Sequence, residues 1–296
     1  MKILLTGSNG QLGRELKKFL NHQANELICI GRDKWDISKN PELGFDLVVE
    51  NGPDIVINTA AFTDVEGAES NAIEAEAVNA IGPKFLSLGS YKLNIPIIHF
   101  STDYVFSGEL KLPYAESDLP CPINIYGRTK LHGEDYIKSI NPKHIIFRLS
   151  WVFSNHGENF VNKILRLQNK EEFKVVCDQF GCPTSTESIA KMLSRILIFL
   201  SEDKFNNWGV FHFSGAPSVS WFEFAQEIYK ISFDQGLIRK VPKITKCKSE
   251  DYKSTAKRPK NSRLENILIN KVFGIGPCNW KKDLEKVLVN KRSLLD

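Results

Sequence analysis

The start of the chain constrains the fold most, because three glycines there separate an apolar run from a helical pattern. The run KILLTG has the unbroken apolar character of a strand buried on both faces, and Gly7, Gly10 and Gly13 follow it. Leucines and a phenylalanine at helical spacing then predict a helix from Gln11 to His22. Glycines here let the backbone turn tightly and approach a pyrophosphate, which the amide groups at the helix N-terminus would hold. The alternative is a tight turn that packs closely and binds nothing.

The same alternation of strand and helix continues through the first half of the chain. The apolar runs ELICIG, DIVINTA, IPIIHFS and HIIFRLS predict further strands, and residues 67–93 and 126–140 have helical patterns. Near-continuous apolar strands separated by helices are typical of a parallel sheet covered on both faces. The sequence therefore predicts an α/β protein with a doubly wound parallel sheet of the Rossmann type.

After Trp151 the pattern changes. Helical segments at residues 160–168, 185–200 and 221–229 alternate with the short extended runs KVVCD and GVFHFSG. A lysine-rich stretch over residues 242–263 is predicted to be irregular. These features predict a smaller, interrupted α/β lobe in the C-terminal half.

Composition and charge exclude several classes of protein. The chain is 42% hydrophobic and 25% charged, with a net charge of +4, as in an ordinary globular protein. Its one basic run, STAKRPKNSR, lacks interleaved aromatics and fits either a loop that holds an anionic ligand or a solvated surface, so no nucleic-acid partner is expected. The six cysteines form no CxxC pair, which favours reduced thiols. Without a recognisable signal peptide or an apolar run of membrane-spanning length, we expect a cytoplasmic protein with no membrane partner.

The end of the second predicted strand bears on the cofactor. In dinucleotide-binding folds this position meets the adenosine ribose, where a carboxylate suits NAD and an arginine suits the 2′-phosphate of NADP. Here Arg32 comes first and Asp33 second. The order favours NADPH and leaves NADH open.

Polar residues that suit ketone reduction follow the fourth predicted strand. Ligands bind beyond the carboxyl ends of parallel strands, and Thr102 stands at that end. Tyr126 and Lys130, four residues apart, share one face of the next predicted helix. A nearby ammonium lowers the pKa of a phenol, which is about 10 in isolation. We therefore expect Thr102 to polarise a carbonyl while Tyr126 supplies the proton that accompanies hydride transfer.

With these motifs, the chain resembles the extended short-chain dehydrogenase/reductases and, within them, the dTDP-4-dehydrorhamnose reductase family. The matching stretches, in order, are GQLG, PDIVINTAAFTDVEGAES, VNA, STDYVFSG, YGRTKLHGE, RLSWVF, NF, DQFGCPT and RPKNSRL. The resemblance implies reduction of the C4 ketone of dTDP-4-dehydro-6-deoxy-L-mannose to dTDP-L-rhamnose, for cell-surface polysaccharide synthesis. It also implies a monomer or homodimer with a nucleotide-sugar substrate. An NAD(P)-binding Rossmann domain would comprise residues 1–150, with residues 184–214 returning to it. Residues 151–183 and 215–296 would form the substrate lobe.

The resemblance also implies roles for individual residues. Tyr126 would donate the proton, Lys130 would lower its pKa and bind the nicotinamide ribose, and Thr102 would hydrogen-bond the keto oxygen. The residues expected to line the sugar pocket are Thr102, Asp103, Tyr104 and Trp151. Those expected to bind the cofactor are Gly7, Asn9, Gly10, Gln11, Leu12, Gly13, Arg32, Asp36, Ile37, Ala60, Ala61, Phe62, Tyr126 and Lys130. No metal is predicted: Glu15 matches one ligand of a metal site between subunits of some relatives, but its C-terminal partner is not identified.

Other functions stay open at this point. A dehydratase of the same superfamily needs a glutamate after Asp103, and Tyr104 stands there instead. An epimerase is not excluded by chemistry, although STDYVF and RPKNSRL do not match what we expect of one. A non-catalytic NADP-binding regulatory subunit, of the methionine adenosyltransferase type, would keep the same fold. The lack of an obvious N-terminal extension for binding a partner argues against it.

Overall fold

The computed structural model describes residues 1–21, 26–201 and 205–292. Its strands, in chain order, are β1 (Lys2–Thr6), β2 (Glu26–Ile30), β3 (Ile55–Asn58), β4 (Ile97–Thr102), β5 (His144–Leu149), β6 (Val152–Phe153), β7 (Glu172–Val176), β8 (Phe180–Gly181), β9 (Thr184–Ser185), β10 (Gly209–Phe213), β11 (Gly215–Ala216), β12 (Val219–Ser220), β13 (Lys243–Cys247) and β14 (Cys278–Asn279).

The helices are α1 (Gln11–Asn21), α2 (Leu43–Asn51), α3 (Val65–Ser70), α4 (Ala72–Glu76), α5 (Gly82–Lys92), α6 (Ile125–Ile140), α7 (Phe160–Leu165), α8 (Thr186–Leu200), α9 (Trp221–Asp234), α10 (Ile267–Phe273) and α11 (Trp280–Arg292). A π-helical turn (Ala77–Ile81) joins α4 to α5, and 3₁₀ turns cover Asp103–Val105 and Ser249–Asp251. No helix within the described ranges is both long enough and apolar enough to span a bilayer.

A six-stranded sheet organises the first half, in the order β2-β1-β3-β4-β5-β10, and every neighbouring pair is parallel. Each inner strand is buried on both faces: Ile3 and Leu5 enter one core cluster, while Leu4 between them enters another. This explains the unbroken apolar runs, because alternate side chains of a strand point to opposite faces. The predicted doubly wound fold is confirmed.

A separate apolar core forms in the C-terminal half among α7, α9 and α11, with Trp280 and Tyr229 fully buried in it. Beside this core, β7 pairs in parallel with β13. The prediction that residues 242–263 are irregular is therefore wrong for β13. Lys243 and Lys246 within β13, and Lys248 directly after it, obscure the apolar pattern of a strand. Only Cys247 of its five residues is buried. The proposed domain limits stay a prediction, and residues 202–204 and 293–296 lie outside the described residues.

One helical prediction in the first half also needs correction, and one helix was missed. The predicted continuous helix over residues 67–93 is interrupted by Asn71 and by the π-helical turn, whose Asn79 turns its side chain to the loop at Phe62. Helix α2 was not predicted at all. The predicted end of α1 at His22 lies outside the described residues.

Candidate active site

The glycine turn joins β1 to α1 at the carboxyl edge of the sheet. Gly7 adopts a φ of +66°, and a Cβ there would lie 2.5 Å from the Ala60 amide nitrogen. A side chain would therefore clash with the backbone that follows β3, which is why glycine is needed. Gly10 N–H donates to the Gly7 carbonyl at 2.9 Å and closes the turn. The first turn of α1 is thus held beside two strand ends.

A cavity of about 470 Å³ opens along this edge, and we call it the first cavity. Nine residues predicted to bind a cofactor line it: Gly7, Asn9, Gly10, Arg32, Asp36, Ile37, Ala60, Ala61 and Phe62. Trp35, which the sequence did not suggest, is a further wall residue. Main chain and small side chains near a helix N-terminus fit an extended dinucleotide.

The other three residues predicted at the glycine turn lie in the first turn of α1. Leu12 and Gly13 are buried, and Gly13 packs against the Gly7 carbonyl. The Gln11 side chain turns to the C-terminal half, where its Oε1 accepts hydrogen bonds from Ser154 Oγ at 2.9 Å and Asn159 Nδ2 at 3.1 Å. Gln11 therefore ties the glycine turn to the residues before α7.

Arg32 lies at the rim of the first cavity among carboxylates. Its side chain is 75% exposed, and its guanidinium lies 3.6 Å from Asp36 Oδ1 and 3.4 Å from Glu74 Oε1. The neighbouring Asp33 accepts a hydrogen bond from Asn9 Nδ2 at 3.1 Å. Of the two side chains at this strand end, Arg32 is thus the one that lines the cavity, whereas Asp33 is bound to the turn.

Helix α6 brings Tyr126 against the end of β4. Asn124 caps the helix by accepting from Gly127 N–H at 2.7 Å. A Cβ at Gly127 would lie only 2.1 Å from the Tyr104 carbonyl oxygen, so glycine lets the helix approach the 3₁₀ turn. The half-buried Tyr126 is hydrogen-bonded to Thr102 and contacts the Tyr104 ring edge-on at 5.9 Å. The predicted tyrosine and threonine therefore meet.

The pKa of Tyr126 differs from the prediction. Burial raises the pKa of Tyr126 to about 12, the hydrogen bond with Thr102 opposes the rise, and the Asp103 charge adds to it. The Tyr-x-x-x-Lys spacing predicted a lowered pKa because it assumed that the Lys130 ammonium faces the phenol. Instead, Lys130 Nζ donates to the Phe100 carbonyl at 2.6 Å and lies 3.2 Å from His99 Nε2.

Lys130 itself is fully buried, and burial lowers its pKa to about 8, with the Glu134 carboxylate opposing the shift. Glu134 in turn pairs with the buried Arg148, at 3.0 Å to Nε and 2.7 Å to Nη2. Tyr126 and Lys130 were predicted to face one crevice. The Lys130 side chain instead lies in a buried polar network beside β4.

Asp103 is almost completely buried beneath the reaction centre. Its carboxylate accepts from Ser150 Oγ at 2.8 Å and from Thr102 Oγ1 at 3.1 Å. Burial raises the pKa of Asp103 to about 6, although hydrogen bonds from Ser262, Ser150 and Thr102 oppose the rise. Asp103 therefore holds the Thr102 hydroxyl in place through this hydrogen bond.

Trp151, which directly follows β5 and Ser150, lies against the C-terminal half. Its backbone has a φ of +46°, which is rare for a residue with a side chain, and its ring stacks on Trp221 with centroids 3.3 Å apart. Trp151 is not among the described residues that line the first cavity or the larger cavity described in the next paragraph. Its place in a sugar pocket stays a prediction.

A larger cavity of about 1020 Å³, the second cavity, opens beyond Tyr104. Five cationic side chains line it: Lys111, Lys257, Arg258, Lys260 and Arg263. The Arg258 side chain is hydrogen-bonded to the Tyr104 phenol and ion-paired with Glu66 at 2.6 Å. The exposed aromatic ring of Phe180 forms another part of the wall. Such a surface suits a ligand that carries both a ring and negative charge.

Long-range backbone hydrogen bonds hold the wall of the second cavity together. Phe180 N–H donates to the Lys260 carbonyl, and Ser262 N–H donates to the Phe180 carbonyl, both at 2.8 Å. Asn261 Nδ2 donates to the carbonyls of Leu110 and Leu112. These residues were missing from the predicted site, and the sequence left the basic run STAKRPKNSR open between a loop that holds an anionic ligand and a solvated surface.

The described residues offer little for metal or disulfide chemistry. No group of three or more histidine, cysteine, aspartate or glutamate side chains among them could bind a metal ion. The six cysteines are free thiols.

Comparison with known proteins gives the family. The family described as RmlD substrate binding domain matches residues 1–293. A dTDP-4-dehydrorhamnose reductase from Aggregatibacter actinomycetemcomitans is 37% identical over 97% of this chain and 98% of its own. The crystal structure of such a reductase from Clostridium acetobutylicum has a TM-score of 0.90 at 38% identity, covering 99% of this chain and 100% of its own. Another from Bacillus anthracis, in complex with NADP, has a TM-score of 0.87 at 33% identity, over 98% and 99% of the two chains. The chain belongs to the dTDP-4-dehydrorhamnose reductase family.

Proposed function

We propose that this protein reduces the C4 ketone of dTDP-4-dehydro-6-deoxy-L-mannose with NADPH and so forms dTDP-L-rhamnose. One observation carries the proposal: the Tyr126 phenol is hydrogen-bonded to Thr102 and contacts the ring of Tyr104, whose phenol is bonded to Arg258 in the wall of the cavity lined by five cations. A ketone bound at Thr102 would have cofactor on one side and the anionic part of its own molecule on the other.

The first cavity supports binding of the cofactor. The turn of Gly7 and Gly10 would face the pyrophosphate, and Arg32 would meet the 2′-phosphate that distinguishes NADPH from NADH. Reduced nicotinamide, when bound, supplies the hydride. A 2′-phosphate would compete with Asp36 and Glu74 for the Arg32 guanidinium, since both carboxylates already lie within 4 Å of it.

Tyr126 and Thr102 would perform the proton chemistry. Because its pKa is raised, Tyr126 keeps its proton at neutral pH and is ready to donate it. An alkoxide formed on the sugar is a far stronger base than a phenolate, so a phenol with this pKa still protonates it readily. Thr102, held by Asp103 and by Tyr104 N–H at 3.2 Å, would orient the keto oxygen toward that phenol.

The second cavity supports a nucleotide-sugar substrate. Lys257, Arg258 and Lys260 would neutralise the diphosphate, while Phe180 offers a face for the thymine ring. Its volume of about 1020 Å³ is more than a monosaccharide requires. Tyr104 connects this surface to the reaction centre, because its phenol is bonded to Arg258 and its ring contacts Tyr126.

The test is cofactor oxidation, followed at the nicotinamide absorbance band, with dTDP-4-dehydrorhamnose generated in situ and with NADPH and NADH in parallel. We expect oxidation with dTDP-L-rhamnose as the product, faster with NADPH. Tyr126→Phe serves as the inactive comparison. Tyr136→Phe is its matched control, because Tyr136 lies on the same helix with its ring beside Lys84.

The alternative functions give different outcomes in this assay. An epimerase would change the substrate without net cofactor oxidation. A regulatory subunit would bind NADPH and leave the keto-sugar unchanged. Either result would overturn the reductase proposal.

A further inference from the structure

A short loop in the wall of the second cavity is anchored to the first half of the chain. Residues 253–258, which we call the basic loop, contain two of the five cations of that wall and form neither helix nor strand. Glu66, in α3, lies against this loop. Its Oε2 accepts from the backbone N–H groups of Thr255 at 2.8 Å and Ala256 at 3.2 Å. One carboxylate oxygen thus fixes the path of the loop backbone.

The other oxygen of Glu66 holds side chains of the same loop. Glu66 Oε1 accepts from Ser254 Oγ at 2.6 Å and lies 2.6 Å from Arg258 Nη1. The Arg258 guanidinium also donates to Ser254 Oγ and is hydrogen-bonded to the Tyr104 phenol. Burial alone would raise the pKa of Glu66, but these hydrogen bonds and those from the loop backbone lower it to about 2. The carboxylate is therefore ionised at neutral pH and accepts from four groups of one loop.

Helix α3 also contacts the start of α6. Glu69, one turn after Glu66, accepts from Ile125 N–H at 2.8 Å, directly before the proposed acid. Asn124, which caps α6, donates through Nδ2 to the Lys257 carbonyl at 2.8 Å. Hydrogen bonds thus connect α3, the start of α6 and the basic loop, so the position of the loop is fixed relative to the proposed acid.

We propose that Glu66 is a positioning residue for the nucleotide-sugar substrate: it holds the basic loop so that Arg258 reaches Tyr104 and the loop cations face the second cavity. Glu66 is not among the described residues that line either cavity, so it acts through the loop rather than on the ligand. The meaning for catalysis rests on the proposed reductase function, whereas the anchoring of the loop does not.

The charge of Glu66 alone predicts the opposite effect on binding. A carboxylate beside a cationic surface repels an anionic ligand, so removing its charge would strengthen the binding of a diphosphate. A positioning role predicts weaker binding, because the loop cations would lose the hydrogen bonds that fix their geometry. The sign of the change in affinity therefore separates the two roles.

Glu66→Gln tests this sign, because the amide has the same size but offers a donor where the second carboxylate oxygen accepts. We expect the KM for dTDP-4-dehydrorhamnose and the Kd for dTDP, measured by calorimetry, to rise about tenfold. The value of kcat should stay within about threefold, and the KM for NADPH should not change. Glu76→Gln is the matched control, since the Glu76 side chain is 33% exposed against 41% for Glu66 and lies 3.0 Å from His132. We expect its affinity for dTDP to equal that of the unmodified protein.

Limited proteolysis tests the anchoring of the loop without any turnover. Lys253 and Lys257 are exposed trypsin sites in the basic loop, and cleavage of a folded protein follows local opening. We expect cleavage after these lysines to be about tenfold faster in Glu66→Gln than in the unmodified protein or in Glu76→Gln. Added dTDP should slow this cleavage.

Ser254→Ala is a second variant, because it removes one of the four donors to Glu66. It should increase cleavage after Lys257 and the Kd for dTDP by about threefold, less than Glu66→Gln does. If Glu66→Gln loses NADPH binding and so fails to fold, Ser254→Ala decides the question, and no change in either quantity there overturns the inference.

The outcomes separate this inference from the proposed function. In folded Glu66→Gln, unchanged or tighter binding of dTDP, or unchanged cleavage of the basic loop, overturns the inference even in an active reductase. Equal changes in Glu76→Gln overturn it as well. Faster cleavage together with weaker dTDP binding, in a protein that reduces no keto-sugar, supports the role of Glu66 and overturns the reductase function alone.

Discussion

The two cavities are built in different ways. Most residues that line the first cavity directly follow β1, β2 and β3. The second is lined by side chains from residues 107–111, 178–180 and 249–263, which are far apart in sequence. The first depends on the sheet, which brings strand ends together wherever the fold forms. The second depends on particular long-range hydrogen bonds, such as that from Phe180 N–H to the Lys260 carbonyl.

This difference suggests a division of labour. A cavity formed at strand ends suits a ligand common to many proteins of this fold, whereas one formed by distant loops sets which substrate is accepted. Substitutions in the two cavities should therefore have separable effects, and substitution of Tyr126 should affect the reaction itself.

The largest effect is expected at Tyr126. Tyr126→Phe removes the proposed proton donor, and general acid catalysis contributes about 10²- to 10⁴-fold, so kcat should fall by that factor. Affinity for NADPH, measured by fluorescence titration, should stay within about twofold, because packing of the ring is retained. Tyr136→Phe should change neither quantity. A Tyr126→Phe enzyme with full kcat would rule out Tyr126 as the acid.

The next prediction concerns the buried Asp103 carboxyl, which accepts a hydrogen bond from Thr102. Asp103→Asn tests how its burial affects stability. The folded-state pKa of Asp103 is raised to about 6 from 3.8, so the folded protein holds its proton more tightly than the unfolded chain. The stability that this raised pKa contributes is fully present below the unfolded pKa and is lost as the pH rises through the folded pKa. At pH 7.5 the ionised, buried carboxylate therefore lowers the free energy of unfolding by on the order of 3 kcal/mol, at about 1.4 kcal/mol per pKa unit.

We therefore expect Asp103→Asn to raise the free energy of unfolding at pH 7.5, with a gain that shrinks toward zero at pH 4. Urea denaturation at both pH values measures this. Asp234→Asn, at the exposed end of α9, is the control and should show no such difference. A gain that is equal at both pH values would contradict the burial argument.

In the second cavity, Lys257→Gln should weaken substrate binding alone. Lys257 is exposed on the cavity wall, so its removal leaves the fold intact. Loss of one charge-assisted contact to a diphosphate should raise the KM for the nucleotide sugar about tenfold, with the KM for NADPH unchanged. Lys253→Gln is matched to it, because Lys253 is exposed on the same loop and is not among the wall residues. Equal effects of both variants would point to net charge rather than to a site.

The smallest effect is expected in the first cavity. Arg32→Ala should raise the KM for NADPH by about threefold to tenfold and leave that for NADH unchanged, because the exposed guanidinium would meet only the 2′-phosphate. Lys34→Ala provides the comparison: Lys34 is exposed, and the cavity wall does not include it. An unchanged preference for NADPH in Arg32→Ala would show that another group distinguishes the cofactors.

The sequence predicted the sheet and the glycine turn well because both depend on local patterns. Near-continuous apolar runs arise from burial on both faces, and a turn as close as Gly7 to Ala60 requires glycine. Tyr126 and Thr102, both predicted as site residues, are hydrogen-bonded to each other, whereas the Tyr-x-x-x-Lys spacing did not predict where Lys130 points. Strand β13 was missed because lysines mask it, and the interruption before α5 was missed because Asn79 bonds to Phe62, a contact that local sequence does not reveal.

The electrostatics could not be predicted from spacing. The direction of the Tyr126 pKa shift depends on burial and on where the Lys130 amine points, and that depends on His99 and Phe100, about 30 residues earlier. The wall of the second cavity likewise depends on contacts such as that of Asn261 with Leu110. A basic run is compatible with affinity for anions, but only the folded chain shows that Arg258 reaches Tyr104, whose ring contacts Tyr126.

The most direct measurement of the central claim is transfer of a deuterium label. NADPH that carries deuterium at nicotinamide C4 would be incubated with the protein and dTDP-4-dehydrorhamnose, and the sugar analysed by NMR and mass spectrometry. The account predicts dTDP-L-rhamnose with deuterium at C4 of the sugar from one face of the nicotinamide, and about 10²- to 10⁴-fold slower labelling with Tyr126→Phe. A sugar without label, or label at another carbon, would contradict reduction at this site.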